Sequence, residues 1–186
     1  MAIAGTIQFF KDAAAAAVED QKSVVALAKA MDNLGLAHSN AGVEKFIGEL
    51  QMATGVADSD LRPAYQKLVT ATGDVTKAQD LLGLSMDISA ATGKDLASVS
   101  QAMSRASLGQ VSALTRLGVP LDAAIIKNKD FAAAQEVLTK QFGGQAAAAA
   151  ETYAGKMARV NQAVEEAKEA IGYALVGALE DATESF

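Results

Sequence analysis

The chain has 186 residues, 51% of them apolar but only 5% aromatic, with no cysteine and a formal net charge of −6. The missing cysteine excludes a disulfide framework and thiolate chemistry and fits a reducing compartment. The acidic balance argues against a generic nucleic-acid binder, which needs a basic face to exchange for phosphate counterions. No period-two run of β-branched residues reads as a strand, and the fold class expected is all-α, a cluster of short helices between a long N-terminal and a long C-terminal helix.

Residues 3–34 read as the first helix, with Ile7, Phe10, Ala14, Ala17, Val24, Ala28 and Met31 at helical spacing, interrupted at Gln21. Ala13 to Ala17 is a strong helix former in itself. Gly35 ends the segment. A second helix is expected from Ser39 or Asn40, carrying Val43, Phe46, Ile47 and Leu50, and a third from Ser59 to Thr72 with Leu61, Tyr65 and Leu68 inside. Pro63 is tolerated there as a first-turn proline, whose missing N–H is no loss. The segment Val75 to Thr92 is apolar nearly all round (Ala78, Leu81, Leu82, Leu84, Met86, Ile88, Ala90, Ala91) and must be covered on several sides, which makes it the expected centre. Gly83 weakens it.

These middle helices carry one repeated stop signal: Ala53-Thr54-Gly55, Ala71-Thr72-Gly73 and Ala91-Thr92-Gly93, each with an aspartate soon after. Glycine past a helix end takes the left-handed conformation at little cost, and the aspartate can cap the next helix. A fifth helix then places Leu96, Val99, Met103 and Ala106 on one face. Gly109 and Gly118 bracket a short element with Val111, Leu114 and Leu117, and Pro120 enforces an extended connection. A small helix follows Asp122, and another carries Phe131, Ala134, Leu138 and Phe142 up to Gly143-Gly144.

From Gln145 onward one long helix is expected. Tyr153, Met157, Val160, Val164, Ala167, Ile171, Ala174 and Ala178 alternate by four and three, a heptad seam for helix–helix contact. Small residues at Ala163, Ala167, Ala170, Ala174 and Ala178 admit another helix closely. At about 1.5 Å per residue this helix would reach about 60 Å from the globular part, with its seam covered by the first helix or by another copy of the chain. Glu165, Glu166, Glu169, Glu180, Asp181 and Glu184 read as its solvated face. The organisation expected is therefore 1–35, an N-terminal long helix; 36–144, a compact multi-helix module; and 145–186, a long C-terminal helix.

Neither end reads as a targeting or spanning segment. Met1 to Phe10 lacks a preceding positive charge, and Ala170 to Leu179 is about half of the roughly 20 residues a membrane-crossing helix requires. No enzyme chemistry, metal or cofactor is expected. His38, the single histidine, lies in a turn-like stretch and matches no ligand spacing. Ser85, Ser89, Ser98, Ser100, Ser104 and Ser107 lack the context of an exposed nucleophile. Asp58 with Asp60, and Asp80 with Asp87, read as caps and surface groups rather than as paired catalytic carboxylates. Gly93-Lys94 lacks the upstream glycine and following hydroxyl of a phosphate loop. Met86 and Met103 sit at core spacing.

Four stretches in order carry a resemblance: LRPAYQKLVTATGDVTKAQDLL (Leu61 to Leu82), DISAATGKDLASVSQAMSRASLGQVSALTRLGV (Asp87 to Val119), FGGQAAAAAETYAGKMARV (Phe142 to Val160) and AKEAIGYAL (Ala167 to Leu175). Together they resemble the helical region of siphophage tail tape measure proteins of phages and prophages of Gram-positive, especially actinobacterial, hosts, over about residues 45–180. FFKDAAAAAVEDQKS (Phe9 to Ser23) fits the same pattern less distinctively. The resemblance implies a virion structural protein in the tail lumen after assembly in the host cytoplasm, or a cytoplasmic one if a prophage remnant. It would set tail length and leave ahead of the DNA. The partners implied are the tail tube protein, tail assembly chaperones and tail tip proteins, besides the chain itself as an oligomer, with no specific nucleic acid and no membrane span. No catalytic residue carries over. Members of that family run to many hundreds of residues, whereas this chain as one helix would span about 280 Å; the likeness is to a module of such a protein, or to a short or split form. The alternative from the residues alone is a helical adaptor unrelated to virions that offers its C-terminal seam to a partner helix.

Overall fold

The structure is a computed structural model that describes the backbone of residues 2–184 and the side-chain surroundings of residues 8–178 apart from Tyr153. Among the described residues there is no strand. The helices in chain order are α1 (Ala2–Asn33), α2 (Asn40–Thr54), α3 (Asp58–Thr72), α4 (Val75–Thr92), α5 (Leu96–Ser107), α6 (Ala123–Asn128), α7 (Phe131–Phe142), α8 (Gln145–Ala150) and α9 (Tyr153–Glu184). Short 3-10 segments at Ala37–Ser39 and Val111–Leu117 complete the order.

The three Ala-Thr-Gly stops end α2, α3 and α4 with Gly55, Gly73 and Gly93 at φ 75°, 62° and 69°. Each threonine completes the stop with its hydroxyl. Thr54, Thr72 and Thr92 donate to the carbonyls of Leu50, Leu68 and Ile88 at 2.7, 2.9 and 2.6 Å. The same oxygens accept from the amides of Val56, Asp74 and Lys94 two residues on. Asp74 and Asp95 then cap α4 and α5 by accepting from Lys77 N and Ser98 N at 2.9 and 2.7 Å. Asp58 does not cap α3: Ala57 holds the N-cap position without a side-chain bond, and the Asp58 carboxylate turns inward.

The core forms around α4, which touches α3, α5, α7 and α8. Leu82 and Ile88 of α4, Tyr65 and Leu68 of α3, Val99 and Met103 of α5, Leu114 and Leu138 are fully buried together. Ala90 and Ala91 are exposed, because covering stops before the last turn of α4. Pro63 falls in the second turn of α3, not the first. It removes one helical N–H, and its position on the solvent side leaves the lost bond to water.

The first helix is not a separate arm. Leu27 and Met31 enter the central core with Val43 and Ile47 of α2. Upstream, Ala17 of the expected stripe is buried and Ala14, Val24 and Ala28 are half-buried, whereas Phe10 is exposed and Ala13 is buried in place of Ala14. Ile7 lies outside the residues whose surroundings are described.

The expected single helix from residue 145 is broken. α8 belongs to the compact module, lying on α4, where Asp87 accepts from Gly144 N at 3.1 Å and Ala146 N at 2.9 Å. Glu151 and Thr152 make a turn, and Thr152 Oγ1 accepts from Gly155 N at 3.1 Å as the start signal of α9. α9 does not project outward by about 60 Å. It folds back antiparallel along α1 and also touches α2. Gly172 makes the approach possible: a Cβ there would run into the Ala13 carbonyl and come within 2.9 Å of Ala17 Cβ. Near its start, Arg159 Nη1 donates to Ala53 O and Ala150 O at 3.2 and 2.8 Å, tying α9 to the ends of α2 and α8.

Candidate contact site on the C-terminal helix

The helix α9 presents two distinct faces. One meets the body through Ala158, Gln162, Lys168, Glu169, Gly172, Leu175 and Val176, buried or half-buried. The other is the heptad seam. Met157, Val160, Val164 and Ile171 are 41%, 55%, 51% and 38% exposed, and Ala167, Ala174 and Ala178 are exposed beside them. Tyr153 begins α9, but its side chain lies outside the described surroundings. The structure thus keeps the seam residues in line and leaves them open, and it corrects one of the two expected covers: α1 packs on a different face. Ala163 and Ala170 are likewise exposed, so the close approach falls at Gly172 rather than along the alanine row.

Beneath α9 lies a charge cluster that the heptad pattern does not reveal. Arg62 of α3 is its hub. Its guanidinium bonds Asp20 of α1 at 2.5 Å, Glu44 of α2 at 2.9 Å and Asp58 of α3 at 2.6 Å, with its side chain only 11% exposed. Ser23 Oγ lies 3.1 Å from the same Nη1. From α9, Tyr173 Oη donates to Asp20 Oδ2 at 2.7 Å, and Glu166 accepts from the Gln51 amide of α2. Carboxylate oxygens of Asp20, Asp58 and Glu169 lie within 4.8 Å of one another. Five carboxylates thus surround one arginine.

Burial alone would lower the Arg62 pKa, but the Glu44 hydrogen bond and the charges of Asp58, Glu44 and Asp20 outweigh it and hold the cation above its ordinary value. The carboxylates share too little positive charge. Burial raises the Asp58 pKa against the pull of Arg62. Burial, then the charges of Asp58, Asp20 and Glu166, push Glu169 up to about 7. Tyr173 rises to about 12 through burial and its bond to Asp20. Glu165 and Glu166 are exposed, as expected of a solvated face, although Glu166 also accepts from Gln51; Glu169 instead is half-buried beside the cluster, and Glu180, Asp181 and Glu184 lie outside the described surroundings. A sign of the cluster is present in the sequence as an arginine four residues after an aspartate on a predicted helix, but its other partners lie 18 to 42 residues or more away.

The remaining candidate groups take structural places. His38 is exposed in its 3-10 turn. Asp60 and Asp80 are exposed, and Asp87 caps α8 as above. Ser85 donates to Leu81 O at 2.7 Å, Ser89 to Lys94 O at 2.6 Å and Ser107 to Ser104 O at 2.8 Å. Ser100 Oγ is buried without a partner among the described residues. An apolar hollow of about 670 Å³ opens where the start of α9 meets α4, α5 and α8. Its Asp95 and Ser89 are engaged in the cap and turn bonds already given. No described helix is long and apolar enough to cross a membrane.

Comparison with protein-family models, with curated proteins and with solved structures finds no match for this chain. The class defined by the fold and site is an all-α protein with an open heptad face on a latched C-terminal helix.

Proposed function

We propose that the chain is the helical module of a tail tape measure protein, a structural component of the tail-tube lumen that takes part in tail assembly, length determination and genome ejection. The observation that carries this reading is the ordered likeness of residues 61–82, 87–119, 142–160 and 167–175 to that family. The all-α architecture is consistent with it, and so is the open seam on α9, since such a protein acts by lying against neighbouring helices and tube subunits. Tail tube, chaperone and tip proteins are the partners this reading assigns. Deleting the coding region from the phage or prophage that carries it, then imaging particles by electron microscopy, tests it directly. Tailless particles or tails of altered length, restored by the gene in trans, are expected; normal tails contradict the reading.

One observation favours a second reading, a helical adaptor of no virion. The seam is presented by a helix already seated on a compact body through Gly172 and the Tyr173–Asp20 bond, which is the arrangement of a preformed docking face. Genes for tail tube and tail chaperones beside this one support the first reading, and an isolated cellular operon supports the second.

A further inference from the structure

The charges of this acidic chain are unevenly placed. Acidic groups gather around Arg62, whereas residues 94–140 hold six lysines and arginines against four acids. Three of those acids, Asp95, Asp122 and Asp130, are engaged in capping amides of α5, α6 and α7. Four cations converge on one cleft of about 560 Å³ between α3, α5 and the 3-10 segment Val111–Leu117. They are Lys67, Lys94, Arg105 and Arg116. No charged head of the four makes an ion pair with a carboxylate of the described residues, and among those heads only the Lys67 ammonium donates a hydrogen bond within them, a long one of 3.4 Å to Ala97 O.

Ser98 and Gln101 add neutral donors, and Ala97, Ala102, Ala113 and Leu117 form a low floor that lets a ligand sit close. One carboxylate, Asp95, faces the cleft, and its charge is turned to the α5 amides, so three positive charges remain in excess. The volume lies in the range of small-molecule sites. Guanidinium forks and ammonium groups recognise phosphate oxygens through charge-assisted bonds. No aromatic residue lines the cleft, which leaves nothing on which a base would stack.

We infer that this cleft binds a multiply charged anion bearing phosphate groups, recognised through its phosphates alone. The chemistry is shared by a free polyphosphate and by the backbone of a nucleic-acid strand, and two arms of the test separate them. Inorganic triphosphate is titrated into the full chain at low ionic strength, followed by calorimetry and by backbone amide shifts. Saturable binding with shifts centred on Ala97, Ser98, Gln101, Arg105 and Arg116 is expected, weakened about tenfold or more by Arg105→Gln with Arg116→Gln. Lys127→Gln with Lys140→Gln, which removes two exposed lysines elsewhere, leaves it unchanged. A single-stranded oligonucleotide that displaces triphosphate through the same residues supports the site with a strand as the source; an oligonucleotide that fails to displace it supports the site with a free anion as the source. Absence of saturable binding, or equal weakening by both double variants, overturns the inference.

Discussion

At the scale of the residue, the helix stops make a compact set of tests because three copies of one motif differ only in surroundings. Gly73 and Gly93 have open space where a Cβ would be, whereas at Gly55 it would lie 2.8 Å from the Arg159 amide nitrogen of α9. Gly73→Ala pays only for the left-handed backbone, about 1–2 kcal/mol. Gly55→Ala adds displacement of α9 and is expected to lower the urea midpoint further than Gly73→Ala. Equal losses would show that α9 is not seated against the end of α2. Gly83 presents the opposite case, a helical glycine with nothing within 4 Å of the place a Cβ would take. Gly83→Ala should stabilise the chain by about 0.5–1 kcal/mol, read as a raised melting temperature. Much at this scale is legible in sequence, since glycine's freedom at positive φ is local chemistry. The threonine's pair of hydrogen bonds, donating to i−4 and accepting from i+2, is not evident there although the threonine recurs in every copy. Asp58 reads as a cap in sequence because the pull of Arg62 depends on groups distant along the chain.

At the scale of the element, α9 is held by packing at Gly172 and by the Tyr173–Asp20 bond, beside a cluster that carries more carboxylate than one arginine neutralises. The pKa of Glu169, raised by burial and by Asp58, Asp20 and Glu166, means that docked α9 holds a proton under conditions where an undocked glutamate has lost it. Docking is therefore strongest below about pH 4.5 as far as this group is concerned, weakens as pH rises, and has lost the contribution above about pH 7. The raised Asp58 acts in the same direction. Glu169→Gln should raise the urea midpoint at pH 8 while changing it little at pH 5, measured by circular dichroism. A loss of stability at pH 8 would show that the Glu169 charge supports the docked helix. The limits of α2, α3, α4 and α7 follow the expected segments to within a residue or two, because caps and glycine stops are written beside the helices they bound. The α8–α9 break escapes sequence reading for a related reason: Thr152 is a helix start inside an alanine-rich run whose propensity reads as unbroken.

At the scale of the whole molecule, the two long helices lie together against a core centred on α4, and the surface they leave divides into an acidic latch, a basic cleft and an apolar heptad. The class of fold and the central place of α4 are legible in sequence, since a helix apolar on nearly every side has to be enclosed. The choice of face by which α9 packs is not, because both faces satisfy helical spacing and the close approach at Gly172 with the Tyr173–Asp20 bond decides between them. That choice leaves Val160 and Val164 more than half exposed. Sedimentation of the intact chain over a range of concentrations, beside Val164→Asp with Ile171→Asp, tests most directly the claim that this seam exists to receive another helix. Reversible self-association of the unmodified chain is expected, with a monomer of unchanged helix content for the double variant. A chain that stays monomeric at every concentration, or an assembly indifferent to the two aspartates, would contradict the claim.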